Sequence, residues 1–339
     1  GGEYLKALGV NSIYDLKDIT YLGFTNVLLN IFKIKKKISE TVDKIIQFNP
    51  DILFSVDSPD FTLRVAKKVK KLRPDIKIIH LVAPQVWVWR EHRVKQLKSF
   101  IDHILLLFPF EKKYFDKENI NSTFIGHPFL EVQERSKIDI SQITKDKKKL
   151  FSIYPGSRLS EISVLAPILF EFIKLMNEQS DDILFAFHST SEYRQLINDL
   201  IVKAGFKNCE VFSDEKIKSH VLKQSMFALS KSGTISLEIC NAKIPSVIIY
   251  KMNSINFFIV RMLVKVKFAN IINIAAGEEI IPELLQSKCN PKNIFKTVDK
   301  LLSDKQALEK QVRKSQVIIN GFRTDKSAEI ASSVLIKHL

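Results

Sequence analysis

Cysteine is scarce in this chain. Cys209, Cys240 and Cys289 are its only three in 339 residues, and they form no CxxC pair. That gives no zinc site and suits a reducing, cytoplasmic compartment. The seven histidines are scattered, without an HExxH, so no metal is expected. Ten glycines and eleven prolines are too few for a fibrous or loop-rich protein. No stretch reaches the ~18 uninterrupted apolar residues of a spanning helix. The longest approach, Ile255 to Phe268, is broken by Arg261, Lys265 and Lys267. Acidic residues are the scarcer charge, 37 against 52 lysines and arginines, which leaves a net +15.

What is present supports full cores: 45% of residues are hydrophobic and 10% aromatic, in a length that accommodates two ordinary domains. The positive charge asks for a counterpart, either nucleic acid or an anionic membrane. No C2H2 finger, RNP1 motif or basic-region zipper is visible, so no nucleic-acid partner is expected. Many lysines follow apolar runs instead, as in IFKIKKKI and VRMLVKVKF, which suits a membrane surface. An Ile/Lys-rich composition without functional meaning explains them as well.

Two turns stand out. Phe227 to Tyr250, FALSKSGTISLEICNAKIPSVIIY, reads as strand, tight polar turn, helix and strand. Gly233 lets backbone approach a ligand, and Ser232 and Thr234 flank it with hydroxyl donors. The following helix aims its free N–H groups and positive dipole end at the same spot. Glu238, one helical turn on, is placed to accept hydrogen bonds from the vicinal hydroxyls of a ribose. Ser, Thr and Glu are also ordinary helix-start residues. The second stretch, LFSIYPGSRLSEI at 150–162, repeats the strand–turn–helix pattern with Gly156, Ser157 and Arg158 in the turn. Together the two suggest a diphosphate held at helix N-termini, with Arg158 as fixed positive charge. The alternative is an Arg158–Glu161 pair on the helix surface.

Around these units the chain alternates strands and helices. Asp51–Val56, Lys77–Val82, Ile104–Phe108 and Ser122–Ile125 read as strands, with helices over 61–73 and 91–99. A second series has strands at 150–154, 183–187, 209–212, 226–230 and 246–250, and helices at 161–178, 191–204, 215–224 and 235–242. From Pro291 the tail is helical, broken at Asn320-Gly321. This alternation predicts an α/β protein of two doubly wound, Rossmann-like parallel-sheet domains facing each other across a cleft, the GT-B type. The expected bounds are 1–136 for an acceptor-binding, membrane-facing domain, 137–149 for a polar linker and 150–320 for the nucleotide domain. Residues 321–339 are expected as a last helix that crosses back or is exchanged within a homodimer. Ligands of such sheets bind beyond the strands' C-terminal ends, which marks Asp57, Trp87, Arg90 and His127 as candidates.

Residues 21–38, YLGFTNVLLNIFKIKKKI, read as a helix apolar nearly all round. Val27, Leu28, Ile31 and Ile34 form one stripe, and Leu22, Leu29 and Phe32 another. With Lys33, Lys35, Lys36 and Lys37 beside them, the stripes suit a lipid surface or, alternatively, complete burial.

Several segments together resemble the lipid-A-disaccharide synthase family. They are FSVDSPDF at 54–61, IHLVAPQVWVWREHRV at 79–94, LLFPFEKKYFDK at 106–117, FIGHP at 124–128, YPGSR at 154–158, SGTISLE at 232–238 and NIAAGEEIIPELLQ at 273–286. They keep order and spacing over essentially the whole chain. The resemblance implies inverting, metal-independent and cofactor-free transfer of 2,3-diacylglucosamine from its UDP derivative to 2,3-diacylglucosamine 1-phosphate (lipid X). The enzyme would be peripheral on the cytoplasmic face of the bacterial inner membrane. By motif position it assigns Asp57, Arg158, Glu238 and Asn273 to the site. Asp57 would be the base, or else cap the next helix. Asn273, at the end of a strand-like run, would contact the diphosphate or stabilise a turn. Trp87 and Trp89 would cover acyl chains or fill the core. Members of the family begin with a strand and a Gly/Ser-rich SGExSGD-like loop. That unit is not seen here, so a truncated start is expected, and an inactive UDP-sugar or membrane-binding protein is one alternative. A UDP-N-acetylglucosamine 2-epimerase-like enzyme is the other.

Overall fold

Consecutive apolar residues, as in KLFSIY, ILFAFH and SVIIY, suit strands covered on both faces of a parallel sheet. The structure, a computed structural model, arranges them that way. It describes residues 3–15, 30–86, 93–131, 149–252, 257 and 266–339. Gly1–His127 and Lys326–Leu339 make one compact unit, and Pro128–Asp325 the other.

In the first unit β1 (Ile52–Val56), β2 (Lys77–Leu81), β3 (His103–Leu106) and β4 (Ser122–Phe124) form a parallel sheet in that order. Val56 is level with Leu81, and Leu81 with Leu105, so the strands end in step. Their C-terminal residues therefore share one edge. Val334, on the helix Ser327–Ile336, is buried with Ile79, Leu105 and Ile125. The end of the chain is thus part of the first unit's core.

The second unit holds six parallel strands: β5 (Lys149–Tyr154), β6 (Ile183–His188), β7 (Cys209–Phe212), β8 (Phe227–Lys231), β9 (Ser246–Tyr250) and β10 (Glu283–Leu285). Their order is β10-β9-β8-β5-β6-β7. The chain steps outward from β5 to β7, then returns to the other side of β5 with β8. That reversal makes the C-terminal ends of β5 and β8 the topological switch point, where doubly wound sheets bind ligands. Both turns singled out in the sequence leave from these two strands.

The switch point rests on a rigid base. The Phe151 ring lies 5.7, 5.6 and 5.3 Å from those of Phe172, Phe185 and Phe227, all fully buried. Side chains of Leu159–Gln179, Ser191–Lys203 and Pro291–Ser303 close this face. Glu215–Gln224 and Ile235–Asn241 close the other.

The structure refines two expectations. The run around Asn273 is a helix, Ile271–Ala276, rather than a strand end. Asn270 caps it, its Oδ1 accepting the Ile272 N–H at 2.8 Å. The stripe of Ile31 and Ile34 is half-buried and continues into the buried Ile38 and Val42 of the helix Ile31–Phe48. This part of the stripe therefore backs onto core positions. Phe32 turns to solvent instead, 80% exposed. Val27, Leu28, Trp87, Trp89, Arg90 and residues 137–148 of the expected linker lie outside the described residues. Among the described residues no helix is long and apolar enough to cross a membrane.

Candidate functional site

After β5 the chain passes through Pro155, Gly156 and Ser157 into the helix Leu159–Gln179. Gly156 has φ +116, and a Cβ built there would lie 2.4 Å from Glu161 Oε2. The turn is therefore closed to any other residue. It closes over the Glu161 carboxylate. Oε2 accepts the Ser157 N–H at 3.2 Å, while Oε1 takes Arg158 at 3.1 Å and Lys231 Nζ at 2.9 Å. The surface pair proposed between Arg158 and Glu161 is thus present, but it belongs to a larger group. Lys231 ends β8, so this one carboxylate ties the two turns together across the switch point.

The second turn is held from beneath. Ser232 Oγ donates to the Ala269 carbonyl at 2.7 Å, and Ser236 Oγ to the Gly233 carbonyl at 2.6 Å. The Ser232 proton is therefore committed within the protein, and its oxygen keeps only acceptor capacity for a ligand. Gly233 has ordinary φ and open space where a Cβ would be. Turn geometry therefore does not require a glycine at this position. Thr234 is exposed at the start of the helix Ile235–Asn241. Glu238, on the same helix, is exposed, yet surrounding protein raises its carboxyl pKa. Repulsion from Glu215 adds to that, and Lys218 opposes it.

Asn273 does not reach for a ligand. It is fully buried, and every polar valence of its amide is used. Nδ2 donates to the Ile281 carbonyl at 2.7 Å and to Glu283 Oε1 at 2.8 Å. Oδ1 accepts from Ile280 and Ile281 at 2.9 and 3.0 Å. The assignment of its side chain to the diphosphate is corrected to a supporting role. Glu283 carries that support on, accepting the Ala269 and Asn270 N–H groups at 2.7 and 2.9 Å.

In the first unit, Asp57 follows β1 with φ +52, and Ser58 follows it with φ +47. Val82, after β2, has φ +71, an outlier for a β-branched residue. Strained backbone at adjacent strand ends is a mark of functional sites. The Asp57 carboxylate is exposed and has no hydrogen-bond partner among the described residues, so it caps no helix there. Thr62 Oγ1 bonds the Asp57 carbonyl instead, at 2.6 Å. His127 is buried against Phe108, ring centroids 5.5 Å apart, and burial lowers its pKa to about 4. It stands buried and neutral just after β4. Among the described residues no three His, Cys, Asp or Glu side chains gather as metal ligands.

The family model described as lipid-A-disaccharide synthetase matches residues 1–336. The chain belongs to the lipid-A-disaccharide synthase family. Its relatives include the synthase of Rickettsia felis, 34% identical over 344 residues, covering 99% of this chain and 87% of that one. The synthase of Rickettsia typhi is 36% identical, covering 99% and 90%. Among solved structures, a UDP-GlcNAc 2-epimerase from Neisseria meningitidis bound to UDP-GlcNAc superposes with TM-score 0.65 at 14% identity, covering 98% of this chain and 87% of that one. A glycosyltransferase from Rickettsia africae gives 0.57 at 11%, covering 100% and 88%. These likenesses show the GT-B fold. As a family member, the chain is a glycosyltransferase of lipid A biosynthesis.

Sequence reasoning missed Lys231 and Glu283. Lys231 carries no local signal, because only the adjacency of β8 to β5 brings it to Glu161. Glu283 lies within the quoted NIAAGEEIIPELLQ, where a lone Glu among apolar residues hints at a buried partner.

Proposed function

We propose that the chain transfers 2,3-diacylglucosamine from UDP-2,3-diacylglucosamine to lipid X, giving the β-1,6-linked disaccharide phosphate and UDP with inversion. The observation that carries this reading is the pair of turns at the β5/β8 switch point, tied by Arg158, Lys231 and Glu161, in a chain of this family. A UDP-sugar donor is supported further by the Neisseria epimerase of the same fold, which was solved with UDP-GlcNAc.

In this reading the acceptor's 6-hydroxyl attacks the anomeric carbon, and Asp57 takes its proton. The bond from the anomeric carbon to the UDP oxygen breaks, and the electron pair leaves with UDP. Arg158 and the amides of the two turns stabilise that charge, so the proposal includes no metal. Glu238 accepts the ribose hydroxyls. We further propose a peripheral place on the cytoplasmic face of the inner membrane, supported by the net +15 and by exposed Phe32 among Lys33, Lys35 and Lys36.

Incubation with UDP-2,3-diacylglucosamine, with and without lipid X, tests the reaction. UDP release and disaccharide that both depend on lipid X are expected. Donor epimerised without acceptor, or donor bound and unchanged, would overturn the reading.

A further inference from the structure

We infer that Lys231 is a second cation for the donor's diphosphate, beside Arg158. This rests on the reading that a UDP-sugar binds at the β5/β8 switch point. Lys231 is the last residue of β8 and runs straight into Ser232-Gly233-Thr234. Its neighbour Ser230 is level with Tyr154 of β5, so Lys231 stands beside the mouth of the Pro155–Arg158 turn.

The charge count decides what the turn can do. Arg158 and Glu161 form an ion pair at 3.1 Å and together sum to zero. Such a pair is a poor counterpart for a diphosphate. Lys231, 2.9 Å from the same Glu161 oxygen, leaves the group with one net positive charge. The Glu161 carboxylate also shows what the cradle accepts: an oxyanion held by an amide, a guanidinium and an ammonium. Glu161 engages one nitrogen of each cation, and a guanidinium has five N–H donors and an ammonium three. Donors therefore remain for phosphate oxygens.

The ammonium is also fixed in place. The Lys231 side chain is 17% exposed, against 47% for Arg158, and its Nζ lies 5.2 Å from the centroid of the Tyr250 ring. A held, partly desolvated cation loses less freedom on binding an anion than one on a free surface chain. An ion pair with only a structural role would affect folding without distinguishing one nucleotide from another.

The test is calorimetric titration of the full chain with UDP, UMP and uridine, for the wild type, Lys231→Met and Lys231→Arg, with melting curves for each. Lys231→Met should weaken UDP about tenfold, as loss of one charge-assisted bond does. UMP should weaken less and uridine not at all. Lys231→Arg should stay within about threefold of wild type, since it keeps the charge and the pair with Glu161. Should Lys231→Met not fold, Lys231→Gln, which keeps a hydrogen bond to Glu161, is read in the same way. Wild-type protein that fails to bind UDP would overturn the UDP-sugar reading and this inference together. Wild-type binding with unchanged affinity in the Met variant would overturn the inference alone. Equal losses for UDP and uridine would do the same, because they mark a turn that has merely loosened.

Discussion

Asn273 Nδ2 donates to Glu283 Oε1 at 2.8 Å, and the same carboxylate oxygen accepts the Asn270 N–H at 2.9 Å. The neighbouring Ala269 gives its N–H to Glu283 Oε2 and its carbonyl to the Ser232 hydroxyl. One relay, buried at Asn273 and Asn270 and exposed at Ser232, thus runs from the helix Ile271–Ala276 to the turn at the switch point.

Asn273→Ala breaks that relay at its source. It strands the Ile280 and Ile281 N–H groups and removes a donor from a buried carboxylate. Each group left unsatisfied costs roughly 1–3 kcal/mol. The melting temperature should fall by about 5 °C or more. UDP affinity should fall with it, because the Ser232 turn loses its floor. An unchanged melting curve with turnover lost would show that Asn273 acts on the ligand directly.

Arg158→Ala should lower turnover by ~10²-fold or more at saturating donor, as loss of a charge-stabilising donor does. It also frees Glu161 to neutralise Lys231, so the cradle keeps no net charge. Initial rates across donor concentration are the check. Near wild-type kcat would reject the role.

Asp57→Asn keeps the side chain's size and removes the proposed base. Because the carboxylate caps no helix among the described residues, the fold should be unaffected. Turnover should drop strongly while UDP affinity stays nearly the same. Normal kcat from the folded variant would remove Asp57 from the mechanism.

How legible each part was in the sequence follows from where its signal lies. The strands of the second unit were readable because burial on both faces leaves near-continuous apolar runs, as in Ile183–His188. β10, three residues at the sheet edge, is too short to show a period. The NIAA run fits a strand or a short helix by periodicity, and the Asn270 cap decides for helix. Gly156 and Arg158 were legible because turn chemistry is local. Lys231 was not, since its partner Glu161 is set by strand order, and no local window contains strand order. For Ile31 and Ile34 the sequence left lipid surface and burial both open, because a helix pattern gives the faces but not which face meets the core.

Acid should destabilise the protein through its buried histidines. Burial holds His80, His127 and His188 neutral, with pKa values lowered to about 4, about 4 and about 3. In the unfolded chain they titrate near ~6.5. Below that pH the unfolded chain takes up protons that the folded one refuses. Stability is therefore full above about 6.5 and is lost as pH falls toward about 4, by up to ~1.4 kcal/mol per pH unit for each histidine. Glu111 acts in the opposite sense. Burial raises its pKa to about 8, against the Phe108 and Leu107 N–H groups that favour its anion. The unfolded chain loses this proton near ~4.5, so its contribution falls as pH rises from there to about 8. In a Glu111→Gln background the urea midpoint should therefore drop between pH 7 and pH 5. A midpoint independent of pH there would show that the histidines charge in the folded state.

The surface of the helix Ile31–Phe48 gives the membrane prediction its form. Phe32 is 80% exposed, with Lys35 Nζ 5.9 Å from its ring centroid, and Lys33 and Lys36 are exposed alongside. An apolar ring set among lysines can insert at a headgroup boundary while the ammonium groups meet anionic lipid. Each lysine near such a surface adds about 1 kcal/mol, screened within a Debye length of roughly 10 Å at moderate salt. The protein should sediment with phosphatidylglycerol vesicles, less so as salt rises, and little with neutral vesicles. Phe32→Ser should weaken partitioning about tenfold without shifting the melting curve, because only the ring's transfer from water is lost. Ile34→Ser should do the reverse, lowering the melting temperature while the folded fraction still binds, because Ile34 faces the buried Ile38 and Val42 side. If Phe32→Ser leaves vesicle binding untouched, this helix is not the contact face, and the net charge must act elsewhere on the surface.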